Sequence, residues 1–230
     1  MKTLLVACEE SQRVCTAFRQ RGWEAYSCDI IDCSGGHPEY HIKQDVLPLL
    51  NGNCDFETCD GIKHHVDHWD LLIAHPPCTY LSNAGACRLY PHKGELNMER
   101  YQKGLEAKEF FLKFLNADIK HICVENPVSS TVFNMPPHSQ EIQPYQFDNF
   151  DEHPYTKKTR LWLRGLPELI PTTPDKIPVG PYVPAGTSRK NRGKYGAAKR
   201  GEDAKNRAKT FRGFAEAMAE QWTKYVEEEC

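Results

Sequence analysis

An open, doubly wound α/β sheet with helices on both faces is the fold that the sequence predicts, and three observations predict it. Short apolar runs recur along the chain, each ending in a polar or charged residue. Segments with helical periodicity fill the intervals between them. The first two runs flank one such helix within about thirty residues, which is a βαβ unit and implies parallel strands. In sheets of this kind the ligand sits beyond the carboxyl ends of the strands. Residues at those ends are therefore the first place to look for chemistry.

"KTLLVAC" (2–8) is apolar and β-branched enough for a buried strand. "ESQRVCTAFRQRG" (10–22) follows as a helix with Val14, Ala17 and Phe18 on one side and Gly22 as its stop. "EAYSCDI" (24–30) is the second strand. "DLLIAH" (70–75) and "HICVEN" (121–126) repeat the buried-strand pattern. Between them a long helix is expected from roughly Glu95 to Leu115, with Leu105, Phe111, Leu112 and Leu115 on one face. "TRLWLRG" (159–165) is a later, more alternating strand. Residues 167–184 are rich in proline and form an irregular connection. Residues 188–212 carry ten lysines and arginines against Glu202 and Asp203. Phe214, Ala217, Met218, Gln221 and Trp222 then stand at helical spacing, so the last helix should pack back on the sheet. The expected organisation is a core over 1–166, a proline-rich and basic segment over 167–212, and a terminal helix over 213–230.

At 230 residues the chain suits one large domain, or one with a small appendage. Its 40% hydrophobic and 26% charged residues argue against wholesale disorder. The net charge of −2 means that any nucleic-acid surface must come from uneven distribution. Ten cysteines suggest a disulfide framework only in a small secreted chain. The opening "MKTLLVACEES" has an apolar run shorter than the roughly 7–15 residues of a signal peptide. A cytoplasmic protein with reduced cysteines is the expectation.

In "DLLIAHPPCTYLSNAG" (70–85), two prolines fix the backbone ahead of Cys78, which suits a nucleophile that must be aimed. The plain alternative is a small buried hydrophobe. Glu125 in "CVENP" adds weight to the first reading, because a carboxylate ending an apolar strand is costly to bury unpaired. It could also cap a helix or pair with a lysine. A cysteine and a carboxylate at strand ends form a nucleophile and a proton donor in one cleft. "CDFETCDGIKHHVDH" (54–68) offers Cys54, Cys59, His64 and His68 to zinc, but the spacings are not those of a finger. Asp60-Gly61 instead signals a hairpin. Cys8, Cys28 and Cys123 lie in apolar runs and read as packing residues.

Three stretches in order resemble motifs of the DNA cytosine-5 methyltransferases, and short phage-type members look most similar. "DLLIAHPPCTYLSNAG" resembles that family's proline-cysteine motif, "VENP" its Glu-Asn motif, and "TKKTRLWLRG" its later basic motif. The resemblance implies a Rossmann-like methyltransferase sheet, S-adenosylmethionine as cofactor and DNA as partner, with a flipped base as substrate. It implies that Cys78 adds to cytosine C6, that Glu125 holds the ring, and that Arg160 contacts the base oxygen. Cofactor contacts are implied for the first loop (Cys8, Glu9, Ser11), for Asp29 and Ile30 after the second strand, and for Asp45 and Pro77. Nucleic-acid contacts are implied for Ser82 and Lys158, and the basic run adds Arg189, Lys190, Arg192 and Lys194 as phosphate contacts. The first loop, "ACEESQRV", lacks the glycines the family expects. The recognition segment is also short. The same addition chemistry on RNA or a free pyrimidine nucleotide therefore stays open, as does a nucleic-acid-binding protein on a methyltransferase scaffold without activity.

Overall fold

The computed structural model describes residues 1–147, 154–182 and 208–229. In chain order the strands are β1 (Thr3–Ala7), β2 (Glu24–Asp29), β3 (His41–Lys43), β4 (Cys54–Glu57), β5 (Lys63–Val66), β6 (Leu71–Ala74), β7 (His121–Pro127), β8 (Gln140–Ile142), β9 (Tyr155–Thr156), β10 (Thr159–Arg164) and β11 (Gly180–Pro181). The helices are α1 (Arg13–Arg19), α2 (Ala86–Leu89), α3 (Met98–Leu115) and α4 (Arg212–Glu228). Seven strands form the central sheet in the order β3-β2-β1-β6-β7-β10-β8. Pairing is parallel from β3 to β7. β10 then runs antiparallel between β7 and β8. The strand order reverses between β1 and β6, which is the topological switch point of a doubly wound sheet.

The expected α/β class holds, and each strand expected from the sequence is present. β3 and β8 were not anticipated, because three residues carry no period that a pattern can show.

Alternate strand residues feed two cores, as a pleat requires. Leu4, Val6, Ile73, Cys123 and Leu161 pack under α1 and α4. Leu5, Ala7, Leu72, Ala74, Ile122, Val124 and Trp162 pack under α3 and the β4–β5 side. α4 returns to the sheet as its spacing predicted, burying Phe214, Ala217, Met218 and Trp222. Gln221 lies outside that core and clamps the Ile170 backbone, accepting from its N–H and donating to its carbonyl, both at 2.8 Å.

The β4–β5 hairpin turns at Gly61, with φ +85°. Its histidines are engaged locally. His64 bonds Tyr26 and Thr58, and His65 bonds Asp55 and Asp67. Among the described residues no helix is long and apolar enough to cross a membrane.

Gly104 marks a close approach inside α3: a Cβ there would lie 2.2 Å from the ring of buried Phe133. Alanine would gain about 1 kcal/mol of helix propensity but overpack at a cost of about 1–3 kcal/mol. Gly104→Ala is expected to be net destabilising, read as a lower urea midpoint at unchanged m-value. A raised midpoint would show that Phe133 yields freely.

Candidate active site

The loop after β1 is shaped by two non-glycine residues in the left-handed region, Cys8 at φ 60° and Gln12 at φ 57°. The turn that glycine would ease is thus made without glycine, at a cost of about 1–3 kcal/mol per residue that the surroundings must offset. Glu9 supplies part of that offset. It is 3% exposed, and its carboxylate accepts from the Val14 and Cys15 amides at 2.7 and 3.2 Å, capping α1. Burial pushes the Glu9 carboxyl up, against the His75 charge and the two amide bonds. Gln12 adds a two-way bond with His37, at 3.0 and 2.8 Å. Gly35 packs so closely there that a Cβ would lie 2.6 Å from that of Gln12.

The chain after β2 is anchored by buried His41. Its Nε2 donates to the Ile31 carbonyl at 2.9 Å, so its Nδ1 accepts from the Ser27 hydroxyl, also at 2.9 Å. Asp29 and Ile30 stand at this strand end. Burial raises the Asp29 carboxyl, with the Ile31 and Ile30 amides opposing it, while Ile30 is 73% exposed. Asp45 is exposed and accepts from Leu47 N–H at 3.1 Å. Cys8 lies just past β1 rather than within it, and is half-buried. Burial, then the charges of Asp29, Cys28 and Asp45, raise its thiol. Cys8, Asp29 and Asp45 therefore share one neighbourhood. Ser11 is buried and lines a polar cleft described below.

β6 and β7 pair in parallel, Ala74 beside Val124, which sets His75 next to Glu125. His75 Nδ1 lies 2.7 Å from Glu125 Oε2, with side chains 9% and 14% exposed. Burial alone would raise Glu125 and lower His75. The hydrogen bond and mutual charge win, so the carboxyl is lowered and the imidazole raised. Lys157 also acts on both charges.

The Cys78 loop is fastened to the chain after β7 at several points. Asn126 Nδ2 donates to the Pro76 carbonyl at 2.9 Å. Ser130 N–H donates to Leu81 O, and Asn83 N–H to Val128 O, both at 2.8 Å. Ser82 forms an isolated bridge with Ser129. From the other side, Arg100 Nη2 donates to the Thr79 carbonyl at 2.6 Å. Pro77 is exposed and Cys78 half-buried, so the thiol is held in place without being enclosed.

The basic motif divides differently from expectation. Arg160 pairs across strands with Asn126 and Glu141, while Glu125 faces Leu161. By strand alternation Glu125 and Arg160 project from opposite faces of the sheet. Lys158 and Arg160 both approach Glu141, at 2.8 and 3.6 Å. The lysine that acts on Glu125 is Lys157, one residue earlier. His75 and Lys157 escaped the sequence reading. The strand-end argument that singled out Glu125 applies equally to His75, since both are polar residues ending neighbouring apolar strands.

A cavity of about 530 Å³ lies beside this loop, lined by Arg13, Lys209, Arg212, Ser11, Ser34 and His37 among others. Its carboxylate, Glu216, is paired with Arg21 at 2.9 Å. Arg189, Lys190, Arg192 and Lys194 lie outside the described residues.

The His75–Glu125 pair gives stability a defined pH window. The lowered Glu125 contributes above the unfolded carboxyl value of about 4.3 and is lost as pH falls through its folded value. The raised His75 contributes fully below the unfolded imidazole value of about 6.5 and is lost as pH rises through its folded value. The stability difference between wild type and His75→Gln is therefore expected to be largest near pH 5–6.5 and to shrink on either side. Urea unfolding across pH reads it, and a difference constant from pH 4 to 9 would contradict the pairing.

No family model matches the chain, and no curated protein matches it. Among solved structures it is similar to a protein proposed to be a DNA modification methyltransferase encoded within a prophage (E. coli), at 12% identity and a TM-score of 0.41. The match covers 78% of this chain and 53% of that one, so this chain spans about half its length.

Proposed function

We propose that the protein is an S-adenosylmethionine-dependent DNA methyltransferase acting on cytosine C5. The observation that carries the reading is the fastening of the Cys78 loop onto the end of β7, which sets a half-buried thiol and a buried carboxylate at adjacent strand ends.

The cofactor end fits the proposed group on physical grounds. In dinucleotide-binding sheets the first turn offers helix amides to a pyrophosphate. Here the Glu9 carboxylate occupies the amides at the start of α1, which disfavours a phosphate. Glu9, Asp29 and Asp45 make this end acidic, and S-adenosylmethionine carries a sulfonium and an ammonium instead of phosphates. A turn that need not approach a pyrophosphate does not need the glycines either. Asp29 and Asp45 would hold polar groups of the nucleoside, exposed Ile30 would cover an apolar face, and Cys8, Glu9, Ser11 and Pro77 would frame the site. When bound, the cofactor supplies an activated methyl group.

The protein's own part is addition chemistry. C5 of cytosine is a poor nucleophile until a thiolate adds to C6. Cys78 makes that bond, and Glu125 holds the ring nitrogen and exocyclic amine. Lys157 adds positive charge beside the carboxylate. Arg160 would reach a base oxygen only on leaving Glu141. The cations around Arg13, Lys209 and Arg212 support phosphate contacts at the same end of the sheet, with Ser82 and Lys158 at its rim.

Incubation with duplex DNA and methyl-labelled S-adenosylmethionine, followed by digestion to nucleosides, tests the reading. Label in 5-methylcytosine is expected. Label in an N-methylated base would refute C5 chemistry, and label taken up only with RNA or free nucleotide would move the substrate class.

A further inference from the structure

We propose that His75 is a positioning residue that orients Glu125 and stores the proton this carboxylate passes to the substrate ring. The inference rests on the methyltransferase reading for the substrate, but not for the pair itself.

Three observations carry it. First, the Nδ1–Oε2 bond of 2.7 Å fixes one oxygen of Glu125 and with it the orientation of the carboxylate. Second, the buried Nε2 of His75 has no hydrogen-bond partner among the described residues. An ordinary packing histidine satisfies both nitrogens, as His41 does with Ser27 and Ile31. Third, the charged groups acting on His75 come from three elements: Glu125 on β7, Glu9 in the loop after β1, and Lys157 ahead of β10. Two carboxylates against one lysine favour the imidazolium, and burial opposes it.

The proton matters because the paired Glu125 has none of its own to give. Burial would raise its carboxyl, but the His75 hydrogen bond and charge hold it low, so Glu125 is the ionised partner of the pair. With His75 attached, the pair holds one transferable proton. When the Cys78 thiolate adds, the S–C6 bond forms and the C5=C6 electron pair moves into the ring. Ring N3 takes a proton from Glu125, and His75 Nδ1 replaces it. The adduct is then neutral, and the pair carries the negative charge the thiolate lost. Reversal of the addition breaks S–C6, re-forms C5=C6 and returns the N3 proton to the pair along the same path.

Two measurements on the full chain test this. The first follows the His75 imidazole by NMR titration, with no substrate. In wild type its midpoint is expected above the ordinary value of about 6.5, falling by about one pH unit or more in Glu125→Gln. A wild-type midpoint below 6.5, or one that Glu125→Gln leaves unmoved, would overturn the pair. The second compares wild type with His75→Gln in covalent trapping by a duplex containing 5-fluorocytosine. The wild-type rate is expected to decline as pH rises through the His75 midpoint. His75→Gln keeps a donor for Glu125 but stores no proton, so its rate should be lower by on the order of 10²-fold and flat over that range. A His75→Gln rate that follows the wild-type pH profile would overturn the proposal. If wild type neither traps nor methylates, the methyltransferase reading falls, and the NMR titration still decides the pair.

Discussion

Cys78→Ser is expected to abolish covalent trapping by a fluorinated duplex and to lower methyl transfer by on the order of 10³-fold or more. The hydroxyl is nearly the same size but is scarcely ionised at neutral pH, so the attacking anion is lost while the shape remains. Stability should barely change, because Cys78 is half-buried and its loop is held by backbone bonds from Leu81, Ser82 and Ser130 that do not involve sulfur. An unchanged melting temperature with the adduct gone is the predicted pair of results. Undiminished methylation by Cys78→Ser would remove the nucleophile from the mechanism. Cys123→Ser is the control. That thiol is buried in the sheet core, with its ionisation pushed far up by burial and the Glu125 charge, so its loss should cost stability and leave trapping intact in the folded fraction.

Trp222→Ala is expected to produce the largest loss of stability, about 3–5 kcal/mol. Its side chain is fully buried in the core shared by α1, α4 and the sheet, and its indole N–H donates to the Pro167 carbonyl at 3.0 Å. Truncation removes the packing and strands that carbonyl at once. Since domains are stable by about 5–15 kcal/mol, the variant should be largely destabilised in urea at 25 °C. The consequence reaches the site, because α1 lies between α4 and the Glu9 loop. A loss below about 1 kcal/mol would mean that α4 docks only loosely.

The sheet was legible because its strands are apolar runs long enough to exceed any helix or loop background, and because α1, α3 and α4 show clear periodicity. The same reasoning singled out Cys78 and Glu125 as candidates, since a reactive or charged group at the end of an apolar strand has no cheap structural explanation. The reading of Cys8 as a strand residue failed for a local reason: β1 stops one residue earlier, where the chain turns left-handed, and no pattern of residue types marks that step. The short strands β3 and β8 left no trace for the same kind of reason.

Composition and periodicity by themselves determined the α/β class, the five central strands and the strand ends that are candidates for chemistry. Pairing decided the rest. Which residues face each other depends on register, and register is a property of two strands, invisible in either alone. Only the pairing of Ala74 with Val124 brings His75 to Glu125, and only the antiparallel entry of β10 turns Arg160 toward Glu141 and leaves Lys157 to act on Glu125. The glycine-free first loop is the sharpest instance. Its sequence suggests a damaged phosphate turn, whereas the folded chain closes it with Glu9 on the α1 amides and Gln12 on His37, through contacts made after the chain has folded back on itself.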